Sequence, residues 1–362
     1  MRFLTAFFIF IQLLSVNAWA DIYSDAGELM GIKTISDCLD SEAAEVTGEM
    51  TLSGDYDTQG ALRRVIEKMV SAVKKNVRSE LAFFAQIVAI AVLNALVSSL
   101  CTGDRIADIA DIASCCCAAL LLISSSRAVF EETEAALFRL SDYSKATLPT
   151  MFLAASASGA VLSAPIKYSA ACLGTDVLMT VSNSAILPLI YAYLAISVCN
   201  AMFPNPVLRT SSRLTKWCAV TLMTAVTMFF CAYMGFSGLL SGSADAAAVK
   251  ATKTVISTAI PVIGGIISDA SATVLAAANV VKYSAGSFAL LGVCAMLAAP
   301  FAMLSLKKLF LEAASAVAGV AGGRLETLLN GCTGALGMLL GVLGYNTIMV
   351  FISFVSAMKA VS

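Results

Sequence analysis

From Leu81 to Leu100 the chain runs for 20 residues without a charge. That is the length a helix needs to cross the roughly 30 Å hydrocarbon core of a bilayer at 1.5 Å per residue. Further apolar stretches fill about 109–126, 148–164, 168–203, 217–241, 255–280, 284–305 and 328–356. A helix in lipid satisfies its own backbone and can present apolar side chains on every side. Hydrophobic residues make up 59% of the chain and charged residues only 13%, against about a quarter charged in soluble domains. A soluble fold of this make-up would expose large apolar patches and aggregate. The expected fold is an all-α, polytopic transmembrane helical bundle of about seven spans, 81–362, with broken or re-entrant helices.

The N-terminus has a different logic. Arg2, the apolar stretch Phe3–Val16 and the small-residue site Ala18-Trp19-Ala20 before Asp21 have the three-part layout of a secretory signal peptide, residues 1–20. An uncleaved first span is the other reading of the same residues. Either way residues 21–60 start on the outer face. They carry ten acids against Lys33 alone, a net of −9 in a chain whose total is −1, and they predict a loose extracytoplasmic segment. In residues 61–80 the period becomes helical. Leu62, Val65, Ile66, Met69, Val73 and Val77 repeat at helical spacing, with Arg63, Arg64, Lys68, Lys74, Lys75 and Arg78 between them. This is an amphipathic basic helix, suited to anionic headgroups, to a partner, or to packing on the membrane body itself.

Between the spans, residues 127–145 predict an interfacial helix with Phe130, Leu137 and Leu140 on one face and Glu131, Glu134, Arg139 and Asp142 elsewhere. The stretch 168–203 is too long for one untilted span. Gly174, Asp176 and Asn183 interrupt its first half and Pro188 divides it, which predicts a broken helix or two short ones. The basic loops around Arg209, Arg213 and Lys216 and around Lys307, Lys308 and Arg324 suit the cytoplasmic side, while a cleaved signal leaves the basic 63–78 segment outside, against the positive-inside tendency. Residues 145–240 and 253–350 share an order of features. Lys145 matches Lys253, Pro188 matches Pro300 and Arg213 matches Arg324. Duplicated halves are common in transporters and channels; chance similarity of small-residue spans gives the same picture.

Several chemistries are absent from the sequence. There is no histidine, which removes Ser-His-Asp, Cys-His and imidazole-metal sites together. No HExxH, GxSxG or P-loop pattern occurs. The 11 cysteines sit mostly inside apolar runs, with no Cys-x-x-Cys pair, and read as small packing residues. The expectation is therefore no enzyme, no catalytic residue, no cofactor, no metal and no nucleic-acid partner, with the lipid bilayer as surroundings.

The most specific stretch is 250–271, which contains Lys253, Ile260-Pro261, Gly264-Gly265 and Asp269. Proline followed by a glycine pair breaks a helix, and backbone freed at membrane depth has to be buried in protein or face water. An acid in such a run is costly in lipid and is expected to face inward. A re-entrant or discontinuous helix is one reading; an ordinary kinked helix with Asp269 at the interface is the other. The candidate structural or pathway residues are Lys253, Pro261, Gly264, Gly265, Asp269, Asp176 and Pro188.

This Lys–Ile-Pro-x-x-Gly-Gly-x-x-x-Asp pattern, with the signal peptide, the acidic outer segment and the span order, resembles the stage III sporulation protein AE family of endospore-forming bacteria over essentially the whole mature chain. The resemblance implies a non-enzymatic subunit of a secretion-like channel, or feeding tube, between mother cell and forespore. It implies a place in the mother-cell membrane surrounding the forespore. The implied partners are other stage III A operon membrane and ring proteins, a secretion-type ATPase and a forespore membrane partner. It carries no catalytic residue. A secondary transporter with its own substrate is the alternative, favoured by the apparent repeat and by Asp176 and Asp269 as acids for ion coupling. Without a P-loop, energy for transport has to come from a separate ATPase or from a gradient.

Overall fold

The computed structural model describes residues 39, 43–44, 47, 58–100, 104–158, 163–259, 264–321 and 323–358, with only the helical backbone at 98, 237–259, 264–282 and 320–321. The signal peptide, most of 21–60, Pro261 and the last residues lie outside these. The helices are α1 (Thr58–Leu100), α2 (Asp104–Ala157), α3 (Ser163–Val181), a π segment (Ser182–Ile186), α4 (Leu187–Met202), α5 (Pro206–Ala259), α6 (Gly264–Ala321) and α7 (Arg324–Met358). No strand occurs among the described residues. Among the described residues six helical stretches are long and apolar enough to cross a membrane: Gln59–Val97, Arg105–Ala157, Ser163–Met202, Pro206–Phe236, Tyr283–Gly319 and Arg324–Met358.

Several pieces expected as separate helices are continuous. Between Ala61 and Leu100 there is no proline or glycine, so the basic amphipathic helix and the first span run on as one 43-residue helix. The interfacial helix expected over 127–145 is likewise the middle of α2. Its predicted faces hold: Phe130, Leu137 and Leu140 are buried, while Glu131, Glu134 and Asp142 are exposed. Pro149 lies inside α2 without ending it. The apolar stretch 148–164 is shared between the end of α2 and the start of α3 rather than forming a span of its own.

The core lies along α6 and α7. Leu328, Leu329, Leu339, Val342, Leu343 and Phe354 on α7 are all but inaccessible. The outer helices α1, α2 and α5 instead expose Leu93, Leu120, Met228 and Phe229, each more than three-fifths accessible. Lipid is the solvent that suits such a surface. One ion pair is largely hidden between α1 and α6: Lys307 Nζ lies 3.5 Å from Glu80 Oε1 and 5.7 Å from the centre of the Phe83 ring.

The connections α1–α2, α4–α5 and α6–α7 gather at one end of the bundle. There Asp111 accepts hydrogen bonds from Asn94 Nδ2 at 3.2 Å and from the Arg324 backbone N–H at 3.2 Å. Gly323 makes the α6–α7 turn with φ +102°, a conformation that costs a residue with a Cβ about 1–2 kcal/mol. At the other end the Met358 side chain lies on Gly286. The acidic segment is not loose where it is described. Leu39, Ala43 and Thr47 are buried, and Leu39 joins the core cluster. The amphipathic helix packs on the bundle through Val65, while Leu62 and Ile66 stay about half exposed along an apolar groove beside Leu297 and Phe301.

Candidate functional site: a polar seam at a π segment

Pro188 has no N–H to give the carbonyl four residues back, and its ring crowds that turn. The helix answers by widening just before it. The Leu187 N–H bonds to the Ser182 carbonyl, five residues back, and Ser182–Ile186 form one π turn between α3 and α4. Such bulges occur often at functional sites. The interruption expected in 168–203 is therefore a π segment within one helical run, not a gap between two helices.

The π turn aims Ser182 at α7. Its Oγ, fully buried, donates to the Leu178 carbonyl at 2.7 Å and accepts from Asn346 Nδ2 at 3.0 Å. The Tyr345 hydroxyl meets the same oxygen. The second Nδ2 proton of Asn346 goes to the Val342 carbonyl at 2.8 Å. One hydroxyl thus uses its single proton and both lone pairs, and α7 is pinned to the π turn. The neighbouring Asn183 Oδ1 is buried and makes no hydrogen bond.

Below this seam α4 and α7 approach closely through small residues. A Cβ on Gly331 would sit 2.7 Å from Ser197 Cβ, and one on Gly334 would sit 2.5 Å from the Tyr193 hydroxyl. Ser197 and Ser212 share a hydrogen bond at 3.0 Å, which brings in α5, and Ser315 bonds Asn330 at 2.8 Å from α6. Small residues allow this packing in membranes, and polar side chains reinforce it.

Of the residues selected from sequence, only Pro188 and Asp176 are described with their side chains, and Pro188 belongs to this seam. Asp176 does not face inward. It is well exposed and pairs with Lys145 on α2 at 3.1 Å. It lies 26 residues before Met202, about 39 Å along the helix from the connection end at 1.5 Å per residue. A helix that long outruns the roughly 30 Å of hydrocarbon, so the acid can sit beyond it. Lys253 lies in the closing turns of α5, and Gly264, Gly265 and Asp269 in the opening turns of α6; Pro261 falls between them, outside the described residues.

Sequence reasoning passed over Ser182, Asn346 and Asp111. Asn346 had a usable signal, as one of two amides in the charge-free run 328–356, where a polar side chain needs a partner. Chemically the seam is a clamp. The partners of Ser182 Oγ are a carbonyl, an amide and a phenol, none of them a base that could activate it. Among the described residues no three Cys, Asp or Glu come together to hold a metal ion.

No curated protein and no solved structure matches the chain. A family model does. The model for stage III sporulation protein AE matches residues 45–360, a range that takes in every helix from α1 to α7. The chain, a multi-pass helical membrane protein, therefore belongs to the stage III sporulation protein AE family.

Proposed function

We propose that the chain is a non-enzymatic subunit of a secretion-like channel between mother cell and forespore, needed for sporulation. The family match over residues 45–360 is the observation that carries this reading. The build of the molecule supports it. Several buried hydroxyls are spent on their own helices, as in Thr133 to the Val129 carbonyl, Ser144 to Leu140 and Ser353 to Met349, and the polar seam joins helices rather than presenting a reactive group. In this reading the chain sits in the mother-cell membrane around the forespore, with its N-terminal segment outside the cytoplasm. The connection end of the bundle then faces the mother-cell cytoplasm, where a secretion-type ATPase has to act. Ring-forming and membrane proteins of the same operon and a forespore membrane partner complete the complex.

A secondary transporter remains the second reading, and one observation favours it. The proline-bearing runs α3–α4 and α6 point the same way, and Arg213 and Arg324, equivalent in the apparent repeat, line one cavity. That is the arrangement of a parallel duplication. Reconstitution separates the two readings. The purified chain alone in liposomes should move neither protons nor small solutes above empty vesicles, while deletion of its gene arrests forespore development and the wild-type chain restores it. Solute flux by the chain alone would transfer the assignment to a transporter.

A further inference from the structure

We propose that the connection end of the bundle carries a binding site for the phosphate of an anionic phospholipid headgroup. The cavity there, about 860 Å³, opens between the α4–α5 turn and the start of α7, a volume in the range of ligand sites. Arg209 and Arg213 from α5 and Arg324 from α7 line it, with Asn200 as a further hydrogen-bonding group; the Thr210 and Thr327 hydroxyls beside them donate to the Pro206 and Gly323 carbonyls. A second cavity of about 310 Å³ continues it along α5, sharing Arg209 and Arg213 and adding Lys216. No carboxylate lines either one.

The charge balance is uneven. Asp111 lies 3.8 Å from Arg324 Nε, and it is already engaged by Asn94 and by the Arg324 backbone N–H. Arg324 Nη1 is buried and makes no hydrogen bond. Arg209, Arg213 and Lys216 are exposed, and none of them has an acidic partner among the described residues. Both helix starts at the cavity are already capped, α5 by Asn205 Oδ1 on the Val207 N–H at 2.9 Å and α7 by Asp111. The guanidinium groups therefore carry the site. Arginine suits phosphate because its planar fork matches two oxygens at once.

The flank of the cavity identifies the source of the phosphate. Phe203, Val207, Leu214 and Trp217 are all more than half exposed on the same turn and the opening turns of α5. Exposed tryptophan beside cations marks the headgroup level of a bilayer, and apolar side chains beside it give acyl chains a surface. A soluble phosphate would need only the arginines. Basic pockets between membrane helices hold such headgroups in this way. The inference needs only that the chain is a membrane protein, and stands or falls independently of the channel reading.

The test uses the full chain in a mild non-ionic detergent, with thermal unfolding followed while cardiolipin, phosphatidylglycerol, phosphatidylcholine or inorganic phosphate is titrated. Cardiolipin or phosphatidylglycerol should stabilise at concentrations at least tenfold below phosphatidylcholine. Arg209→Gln/Arg213→Gln should raise the anionic lipid concentration needed about tenfold or more without lowering the lipid-free melting temperature, since neither residue holds the fold through an ion pair. Lys74→Gln/Lys75→Gln, which removes equal charge from exposed positions on α1, should not. Protection by inorganic phosphate equal to that by lipid, lost in the same arginine variant, would keep the anion site and overturn the lipid assignment. Equal loss in both double variants, or none in either, would overturn the site. So would a copurifying protein released by Arg209→Gln/Arg213→Gln when no lipid or phosphate effect is seen.

Discussion

The bond between the π turn and α7 predicts a measurable coupling between Ser182 and Asn346. Asn346→Ala removes two hydrogen bonds, to Ser182 Oγ at 3.0 Å and to the Val342 carbonyl at 2.8 Å. The second matters little, because that carbonyl keeps its helical N–H partner. The first is interhelical, and such bonds in membrane bundles contribute about 0.6 kcal/mol on average and reach about 1.7. Ser182→Ala is the more damaging change. It leaves Asn346 Nδ2 and the Tyr345 hydroxyl without a shared acceptor in a buried place, at a cost of about 2 kcal/mol. Because the two variants lose the same bond, the double variant should be less unstable than the sum of the singles by about 1 kcal/mol. Unfolding in mixed micelles with increasing dodecyl sulfate, followed by far-ultraviolet circular dichroism, reads this directly. Thr224→Ala is the control partner, since its hydroxyl bonds only its own Val220 carbonyl. It should be additive with Asn346→Ala to within about 0.5 kcal/mol. A Ser182–Asn346 coupling no larger than that control would refute the seam.

Other contacts make simpler predictions. Gly331→Val should push α4 from α7, because its Cβ would meet Ser197 Cβ at 2.7 Å; a loss of about 1–3 kcal/mol should appear as a lower melting temperature with a thiol-reactive dye, which sees buried Cys115 and Cys332 only on unfolding. Gly323→Ala combines the +102° φ with a Cβ 3.0 Å from Asp111 Oδ1 and should cost at least about 1 kcal/mol in the same assay, with Gly323→Asn less harmful. Glu80→Gln should strand Lys307 in a mostly buried place at a cost of about 3 kcal/mol, whereas Glu80→Leu/Lys307→Met should recover much of it; no recovery would mean that the loss does not come from a stranded Lys307 charge. Asp176→Asn should leave stability and sporulation unchanged, since an exposed pair contributes about 0–1 kcal/mol.

What could be read from the sequence depended on distance along the chain. The charge-free run Leu81–Leu100 and the buried face of Phe130, Leu137 and Leu140 follow from helical spacing alone. Pro188 announced an interruption because its chemistry is local. The form of that interruption was not legible, since a π turn is held by Ser182 and residues 163 and 164 positions later in the chain. The fusion of 61–80 with the first span was legible in the lack of any breaker after Gly60. The exposed position of Asp176 was not legible in the sequence. Its partner Lys145 lies on another helix, and only the lengths of α2 and α3–α4 show that both can reach past the hydrocarbon. The basic cavity was half visible. Arg209, Arg213 and Arg324 stood out as loop charges, but nothing local says that two loops more than 100 residues apart meet in one pocket.

The channel-subunit account is tested most directly by affinity recovery of the chain from sporulating cells in mild detergent, with mass spectrometry of what accompanies it. The account predicts that ring-forming sporulation proteins and a secretion-type ATPase come with it. Recovery of the chain alone, under conditions that keep other membrane complexes intact, would contradict it.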